Sequence, residues 1–141
     1  MLIKNGFIIN PASGEAYKAD IHIKDGLIEN ISENISTTED DNVVDACGLT
    51  VAPGLIDTHV HFRDPGFTYK ETLHTGSLAA AKGGFTSVIC MANTSPVVDN
   101  TDVLEDILSR SRSESIRIYQ AASISRSLKG EEMTDMTALK E

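Results

Sequence analysis

Long apolar runs are missing from this sequence, and no stretch approaches the roughly 18 residues that a membrane-spanning helix requires. The first residues also lack the basic region and the longer apolar core of a signal peptide. Only two cysteines are present, Cys47 and Cys90, which is too few for a disulfide framework. We expect both to be small buried residues of a protein in the reducing cytoplasm.

Positive charge is also scarce. The 141 residues contain 12 Lys and Arg against 21 Asp and Glu, which gives a formal net charge of −9. Such a balance argues against nucleic acid or an anionic membrane as a partner. A hydrophobic content of 40% suits one ordinary globular domain or two small ones.

Residues 1–51 are predicted to form a small β-rich domain, arranged as part of a sandwich. Short apolar runs flank Asn5-Gly6 and Asp25-Gly26, which are dipeptides typical of tight turns between strands. The polar, acidic segment 32–42 is expected to be a loop.

Residues 52–141 are predicted to alternate between strand, loop and helix. Buried-type strands are predicted over 55–62, 85–91 and 116–122. A Thr68-x-x-Glu71 capping box predicts the start of one helix, and Asn100 or Thr101 that of a second. Apolar residues spaced by three predict a third helix, and these are Met133, Met136 and Leu139.

Repeated βα units imply a parallel sheet whose ligand site lies at the C-terminal ends of the strands. The α/β part is about 90 residues long, whereas a complete (β/α)₈ barrel takes about 250 residues. A small open sheet would leave apolar strand edges exposed. We therefore favour a truncated barrel, comprising the first three βα units, over a complete open α/β protein.

The motif His59-x-His61-x-Arg63 ends the first of these strands. Because side chains alternate along a strand, the three side chains are expected to point to the same side. Two imidazoles that converge are suited to a divalent metal, and a neighbouring guanidinium is suited to an anion. A zinc site normally needs a third protein ligand. His74 is the other nearby histidine, but a solvated helix face is its expected position.

Two further residues keep two interpretations each. Arg63 is either a bidentate clamp for a carboxylate or a loop residue paired with Asp64. Asn93, which follows the second strand, is either a turn residue or an amide that binds a ligand.

These residues resemble a known family. The run from Pro53 to Gly66, together with Lys70-Glu71-Thr72, Gly83-Gly84-Phe85-Thr86 and Met91-Ala92-Asn93-Thr94, is similar to type I, zinc-dependent dihydroorotases of the amidohydrolase superfamily. The resemblance implies a metal-dependent (β/α)₈ barrel preceded by half of a β-sandwich.

The resemblance also implies roles for residues. His59 and His61 match two zinc ligands of an enzyme that holds one or two Zn²⁺ ions, and Arg63 and Asn93 match residues that hold the substrate carboxylate. The implied reaction is the reversible cyclisation of N-carbamoyl-L-aspartate to L-dihydroorotate in pyrimidine biosynthesis. For the full-length protein, it implies a homodimer or a complex with aspartate transcarbamoylase.

The sequence departs from the family pattern at Ala92, where Pro is usual, and at Asp64, where Glu is common. The bridging ligand, the later histidines and the catalytic aspartate of the family match nothing here, so we expect the 141-residue chain alone to be inactive. A hydantoinase- or allantoinase-type enzyme and a non-catalytic homologue remain the alternatives. Arg63 distinguishes the dihydroorotase family from these related enzymes, because allantoinase-like sequences carry Asn at its position and hydantoinase-like ones lack the His-x-His-x-Arg-x-Pro-Gly run.

Overall fold

A computed structural model describes residues 1–39 and 41–140 of the chain. The chain divides into two compact units, Met1–Pro53 and a second that begins at Gly54. Each unit has its own sheet, and helices occur in the second unit. The structure is therefore a mixed α/β protein. Within the described residues, no helix is both long enough and apolar enough to span a membrane.

The first unit is one five-stranded mixed sheet. Its strands are β1 (Leu2–Asn10), β2 (Glu15–Lys24), β3 (Leu27–Ser32), β4 (Val43–Asp45) and β5 (Thr50–Val51). The main order is β3-β2-β1-β4, and β5 also pairs with β1. β2 and β3 form the predicted hairpin at Asp25-Gly26, where both residues have the positive φ that a tight two-residue turn requires.

The predicted turn at Asn5-Gly6 is wrong, because both residues lie inside the continuous strand β1. The pairing of β1 with β2 shifts register there, and Asn5 has a left-handed φ of 62°. The buried carboxylate of Asp20 accepts hydrogen bonds from Asn5 N at 2.8 Å, Ile35 N at 2.9 Å and Lys4 Nζ at 2.6 Å. A side chain on β2 therefore stabilises a bulge where the dipeptide alone suggested a chain reversal.

The second unit is built on a three-stranded parallel sheet. Its strands are β6 (Leu55–Val60), β7 (Phe85–Cys90) and β8 (Arg117–Gln120), in that order across the sheet. Helix α1 (Leu73–Lys82) lies between β6 and β7 in the chain, and α2 (Thr101–Ser111) between β7 and β8. The predicted parallel βα rhythm is confirmed, although each strand is shorter than predicted.

The apolar core of this unit lies between the sheet and the two helices. Buried residues from β7, α2 and β8 meet there, among them Val88, Ile107 and Ile118. The prediction of a fully buried β6 is wrong, since Leu55 is 54% and Ile56 65% exposed. β6 is an edge strand of the sheet within the described residues.

Helix α1 begins later than predicted. Thr72 is its N-cap, and Thr72 and Thr75 form the capping box, with Thr75 N donating to Thr72 Oγ1 at 3.1 Å. The predicted box at Thr68 and Glu71 lies in a turn instead, where Lys70 N donates to Phe67 O at 2.8 Å. For α2, the prediction is confirmed: Asn100 is the N-cap, and its Oδ1 accepts from Val103 N.

The predicted third helix is absent from the described part of residues 129–141. A single 3₁₀ turn occupies Arg126–Leu128, and the chain then pairs back on itself. Arg126 N donates to Glu132 O at 2.9 Å, and Thr134 N donates to Ile124 O at 3.0 Å. These bonds use the backbone groups that a helix would need, and Met133 is exposed.

The two cysteines differ. Cys90 is buried at the end of β7, as expected, but Cys47 is exposed and contradicts the prediction. Burial raises the pKa of the Cys90 thiol to about 11, so this sulfur remains protonated near neutral pH. It is therefore unsuited to act as a thiolate ligand.

Candidate metal and substrate site

The candidate residues lie at the C-terminal ends of two neighbouring parallel strands. His59 is the second-last residue of β6, and His61 is the first residue after the strand. Asn93 lies three residues after the end of β7. Val60 pairs with Cys90 across the two strands, so both strand ends lie at the same edge of the sheet. This is the edge at which ligands bind in parallel βα folds.

The two histidines are close together. Their ring centroids lie 5.2 Å apart with an interplanar angle of 70°. His59 is exposed and His61 is half-buried, so the pair is accessible to a ligand from solvent. His59 N donates to Asp57 Oδ1 at 2.9 Å, which restrains the backbone just before the pair.

His61 is held in turn by Asn93. His61 Nδ1 lies 2.7 Å from Asn93 Oδ1. Because an amide oxygen only accepts, this contact requires His61 Nδ1 to carry the hydrogen. In the neutral imidazole, Nε2 then has a free lone pair. The contact is of the kind that orients a metal-binding histidine through its second nitrogen.

Arg63 does not follow the strand alternation from which its direction was predicted. β6 ends at Val60, and Arg63 has a left-handed φ of 62°. Its carbonyl accepts from Phe67 N at 2.9 Å in the loop that follows. Within the described residues, its guanidinium makes no ion pair, and Asp64 binds Arg110 instead. Pairing of Arg63 with Asp64, the alternative interpretation, is therefore wrong.

Asp64 and Arg110 form a pair that sequence reasoning missed. Arg110 Nη1 donates to Asp64 Oδ1 at 2.9 Å, and Leu73 N donates to Asp64 Oδ2 at 3.1 Å. The two charged residues are separated by 46 positions, and no motif links them. Their contact depends on how α2 packs, so no signal in the sequence could have found it.

His74 occupies the position that was predicted for it. It lies on α1 with an exposed side chain, and its Nδ1 is 3.1 Å from Glu114 Oε2. That carboxylate also accepts from the buried Ser77 hydroxyl at 2.7 Å. His74 is thus engaged in a contact between α1 and the segment that precedes β8.

The donor set suits a divalent metal but does not complete its site. Two imidazoles converge, and one of them has its Nε2 left free by Asn93. In residues 1–39 and 41–140, no three His, Cys, Asp or Glu side chains cluster as metal ligands. Zinc normally takes at least three protein ligands. His59 and His61 can therefore hold part of a metal site.

Comparison with known families identifies the group to which these features belong. The profile of the family described as dihydro-orotase-like matches residues 48–141. This chain belongs to that family. The dihydroorotase-like match covers all of β6, β7 and β8 and both helices.

Known proteins of this group are similar over nearly the whole chain. The dihydroorotase of Clostridioides difficile (strain 630) is 49% identical over 99% of the chain. That of Streptococcus thermophilus (strain CNRZ 1066) is 47% identical over 100% of it. The chain spans 33% of the length of each of these two relatives.

Solved structures of the hydantoinase group share the fold. The L-hydantoinase (dihydropyrimidinase) of Arthrobacter aurescens has a TM-score of 0.76 and is 27% identical. It is matched over 88% of this chain and 28% of its own. The D-hydantoinase (dihydropyrimidinase) of a Thermus species has a TM-score of 0.69 and 35% identity, over 92% of this chain and 29% of its own.

Proposed function

We propose that the protein to which these residues belong is a dihydroorotase. The reaction is the reversible cyclisation of N-carbamoyl-L-aspartate to L-dihydroorotate, with release of water. The observation that carries the proposal is the arrangement of His59, His61 and Asn93 at one edge of the parallel sheet. The 47–49% identity to dihydroorotases over this chain supports the choice of substrate.

We further propose that β6, β7 and β8 are the first strands of a (β/α)₈ barrel. Their parallel order and the helices between them have the pattern of such a barrel. The exposed apolar side chains of Leu55 and Ile56 on the edge strand would be covered by further strands and helices. In the same proposal, the sheet of residues 1–51 forms half of a composite sandwich domain.

The roles of the site residues follow from their chemistry. His59 and His61 would hold Zn²⁺, with one or two ions in the complete enzyme. A bound zinc ion would polarise the amide carbonyl and promote loss of a proton from the water that attacks it in the hydrolytic direction. The relatives are about three times as long as this chain. We assign the remaining ligands and the general base to the additional length that those relatives have.

Arg63 and Asn93 would bind the substrate carboxylate. A guanidinium offers two parallel donors that match the two oxygens of a carboxylate. Asn93 keeps its Nδ2 donors available, because its contact with His61 uses only Oδ1. Both groups would fix the ring so that its amide carbonyl faces the histidines, and this positioning lowers the entropic cost of the reaction.

A related cyclic amidase is the second candidate, because the hydantoinase structures share the fold. Arg63 favours dihydroorotate, since hydantoin itself has no carboxylate for a guanidinium to bind. We also propose a cytoplasmic enzyme that forms a homodimer or a complex with aspartate transcarbamoylase. A small anionic substrate suits Arg63, whose guanidinium makes no ion pair in the described part of a chain with a net charge of −9.

A substrate panel tests the proposal. The full-length protein is purified, its zinc content is measured, and turnover of dihydroorotate, hydantoin and allantoin is compared. We expect turnover of dihydroorotate alone, with loss on chelation and recovery with zinc. A higher kcat/KM for hydantoin or allantoin would favour the related amidase. No zinc and no turnover of any of the three would favour a non-catalytic homologue.

Two further experiments test the roles assigned to residues of this chain. Arg63→Gln is expected to raise KM for dihydroorotate at least tenfold, because it removes the charged partner of the carboxylate. The isolated 141-residue chain is expected to be inactive, since it supplies two metal ligands and no general base. Turnover by the pure 141-residue chain would refute that expectation.

A further inference from the structure

The loop that carries Arg63 is held by a buried charge. Asp64, the next residue, is only 6% exposed and lies in the interior beside α1 and α2. A buried carboxylate is costly unless it is paired and hydrogen-bonded. Both conditions are met here, by Arg110 on α2 and by the backbone of Leu73 on α1.

Each oxygen of Asp64 has its own donor. Oδ2 accepts from Leu73 N at 3.1 Å, and Leu73 is the first residue of α1. The first amides of a helix lack partners within the helix and carry partial positive charge, so a carboxylate is favoured there. Oδ1 accepts from Arg110 Nη1 at 2.9 Å. Asp64 therefore joins the loop after β6 to both helices.

Arg110 is itself restrained on its other side. Its Nε and Nη2 donate to Asp106 Oδ2, one turn earlier on α2, at 3.1 Å and 2.8 Å. Burial works against the charge of Arg110, but the hydrogen bonds to Asp106 and Asp64 outweigh it and raise the pKa of the guanidinium. Arg110 therefore keeps its positive charge beside Asp64.

The same loop is tied to the loop that carries Asn93. Ser95 N donates to Pro65 O at 3.1 Å. Gly66 has a φ of 93°, and a Cβ at that position would collide with the Ser95 backbone oxygen. Only glycine permits this approach. The backbone on the C-terminal side of Arg63 is therefore held by α1, by α2 and by the neighbouring loop.

From these contacts we infer that Asp64 and Arg110 are positioning residues that hold Arg63 in the conformation that binds the substrate carboxylate. Arg63 has a left-handed φ, a backbone conformation that costs energy for a residue other than glycine. The surrounding contacts must supply that energy. Asp64 is adjacent in the chain and has the strongest anchors, so its loss should release the Arg63 backbone first.

The inference rests on the proposed function, and a double-mutant cycle in the full-length zinc-loaded protein tests it. The variants are Asp64→Asn, Arg63→Gln and the double variant, assayed with dihydroorotate. The Asn oxygen can accept a hydrogen bond from one of the two donors, but the Asn NH₂ group, itself a donor, would face the other. We expect Asp64→Asn to raise KM about tenfold, with kcat and zinc content little changed.

Coupling is the decisive readout. If Asp64 acts through Arg63, Asp64→Asn should have no further effect on KM once Arg63 is already replaced. A merely structural Asp64 would reduce activity by the same factor in both backgrounds. That additive result would overturn the inference, and so would an unchanged KM in the single variant.

Arg110→Gln breaks the same ion pair by replacing its more exposed partner, whose side chain is 40% exposed. Arg110→Gln should reproduce the increase in KM and the coupling to Arg63. If Asp64→Asn does not fold, Arg110→Gln tests the positioning role of the ion pair in its place. Arg110→Lys keeps the charge and should recover most of the lost affinity. Arg126→Gln breaks the exposed Arg126–Glu132 pair of the same unit and is the matched control, with no expected change in KM.

The outcomes distinguish failure of the proposed function from failure of this inference alone. A parent protein that does not turn over dihydroorotate refutes the proposed function and this inference with it. Turnover by the parent, combined with additive effects of Asp64 and Arg63, refutes the inference alone.

Discussion

His61 Nδ1 lies 2.7 Å from Asn93 Oδ1, so a proposed metal ligand and a proposed substrate-binding residue are in direct contact. They are 32 positions apart and follow different strands. The contact selects the His61 tautomer whose Nε2 is free. Asn93 thereby acquires two roles: its oxygen orients the imidazole, and its NH₂ group remains for the substrate.

Asn93→Ala is expected to weaken zinc binding as well as substrate binding. It removes the acceptor that orients His61, and loss of such a partner typically costs about 10- to 100-fold in metal affinity. Competition with a chromophoric chelator measures the zinc affinity of the full-length variant. Asn34→Ala, an exposed asparagine of the first unit, is the control. Unchanged zinc affinity in Asn93→Ala would show that Asn93 does not orient the ligand.

His59→Ala and His61→Ala are each expected to lower the zinc content of the full-length protein below that of the parent after dialysis. Each removes one imidazole of the pair whose rings lie 5.2 Å apart. Elemental analysis measures the zinc-to-protein ratio. His74→Ala removes a histidine that contacts Glu114 and should retain the parent ratio. Full zinc retention by both His59→Ala and His61→Ala would exclude them as ligands.

Asp20 should make the stability of the protein sensitive to acid. Burial alone would raise its pKa, but hydrogen bonds from Ile35 N, Lys4 Nζ and Asn5 N outweigh this and lower the pKa to about 2 from the ordinary 3.8. A lowered pKa in the folded state contributes stability that is present above the unfolded pKa. That contribution is lost as the pH falls from about 4 to about 2.

Asp20→Asn is therefore expected to cost about 1–3 kcal/mol at pH 7, where the carboxylate satisfies three donors. The variant should also lose less stability than the parent between pH 4 and pH 2. Urea denaturation at several pH values measures both effects. Asp25→Asn is the control, because Asp25 is an exposed turn residue with positive φ, which asparagine tolerates equally. Parallel pH profiles of parent and Asp20→Asn would contradict the prediction.

Gly76→Ala is expected to destabilise the second unit. Alanine normally stabilises a helix interior by about 1 kcal/mol relative to glycine. Here, however, a Cβ would lie 2.6 Å from the ring of the buried Phe62. Overpacking of this kind costs about 1–3 kcal/mol and would displace Phe62, which lies between His61 and Arg63.

The urea midpoint of the full-length variant measures the effect of Gly76→Ala. Gly83→Ala is the matched control, because Gly83 has a right-handed φ of −80° and its nearest neighbour to a Cβ lies at 3.4 Å. We expect Gly83→Ala to stay within about 0.5 kcal/mol of the parent. A Gly76→Ala variant more stable than the parent would show that Phe62 has room to move.

Local sequence patterns correctly predicted the structural features that depend on residues close together in the sequence. The Asp25-Gly26 hairpin, the Asn100 cap and the parallel order of the three βα strands all follow from turn chemistry and apolar periodicity. Local patterns failed where a distant group competed for the same backbone. Asn5-Gly6 forms a bulge because the Asp20 carboxylate accepts from the backbone N–H of Asn5. Met133, from which a third helix was predicted, pairs with Ser125 instead.

The sequence by itself determined that His59 and His61 stand two residues apart at the end of a strand, because alternation along the backbone requires no other part of the chain. Only the tertiary structure decided the conformation of Arg63. Its direction depends on a left-handed backbone, and the adjoining loop is held by Asp64 and by an arginine 46 positions further on. A buried ion pair between distant residues forms only once the helices have packed, so no local pattern specifies it.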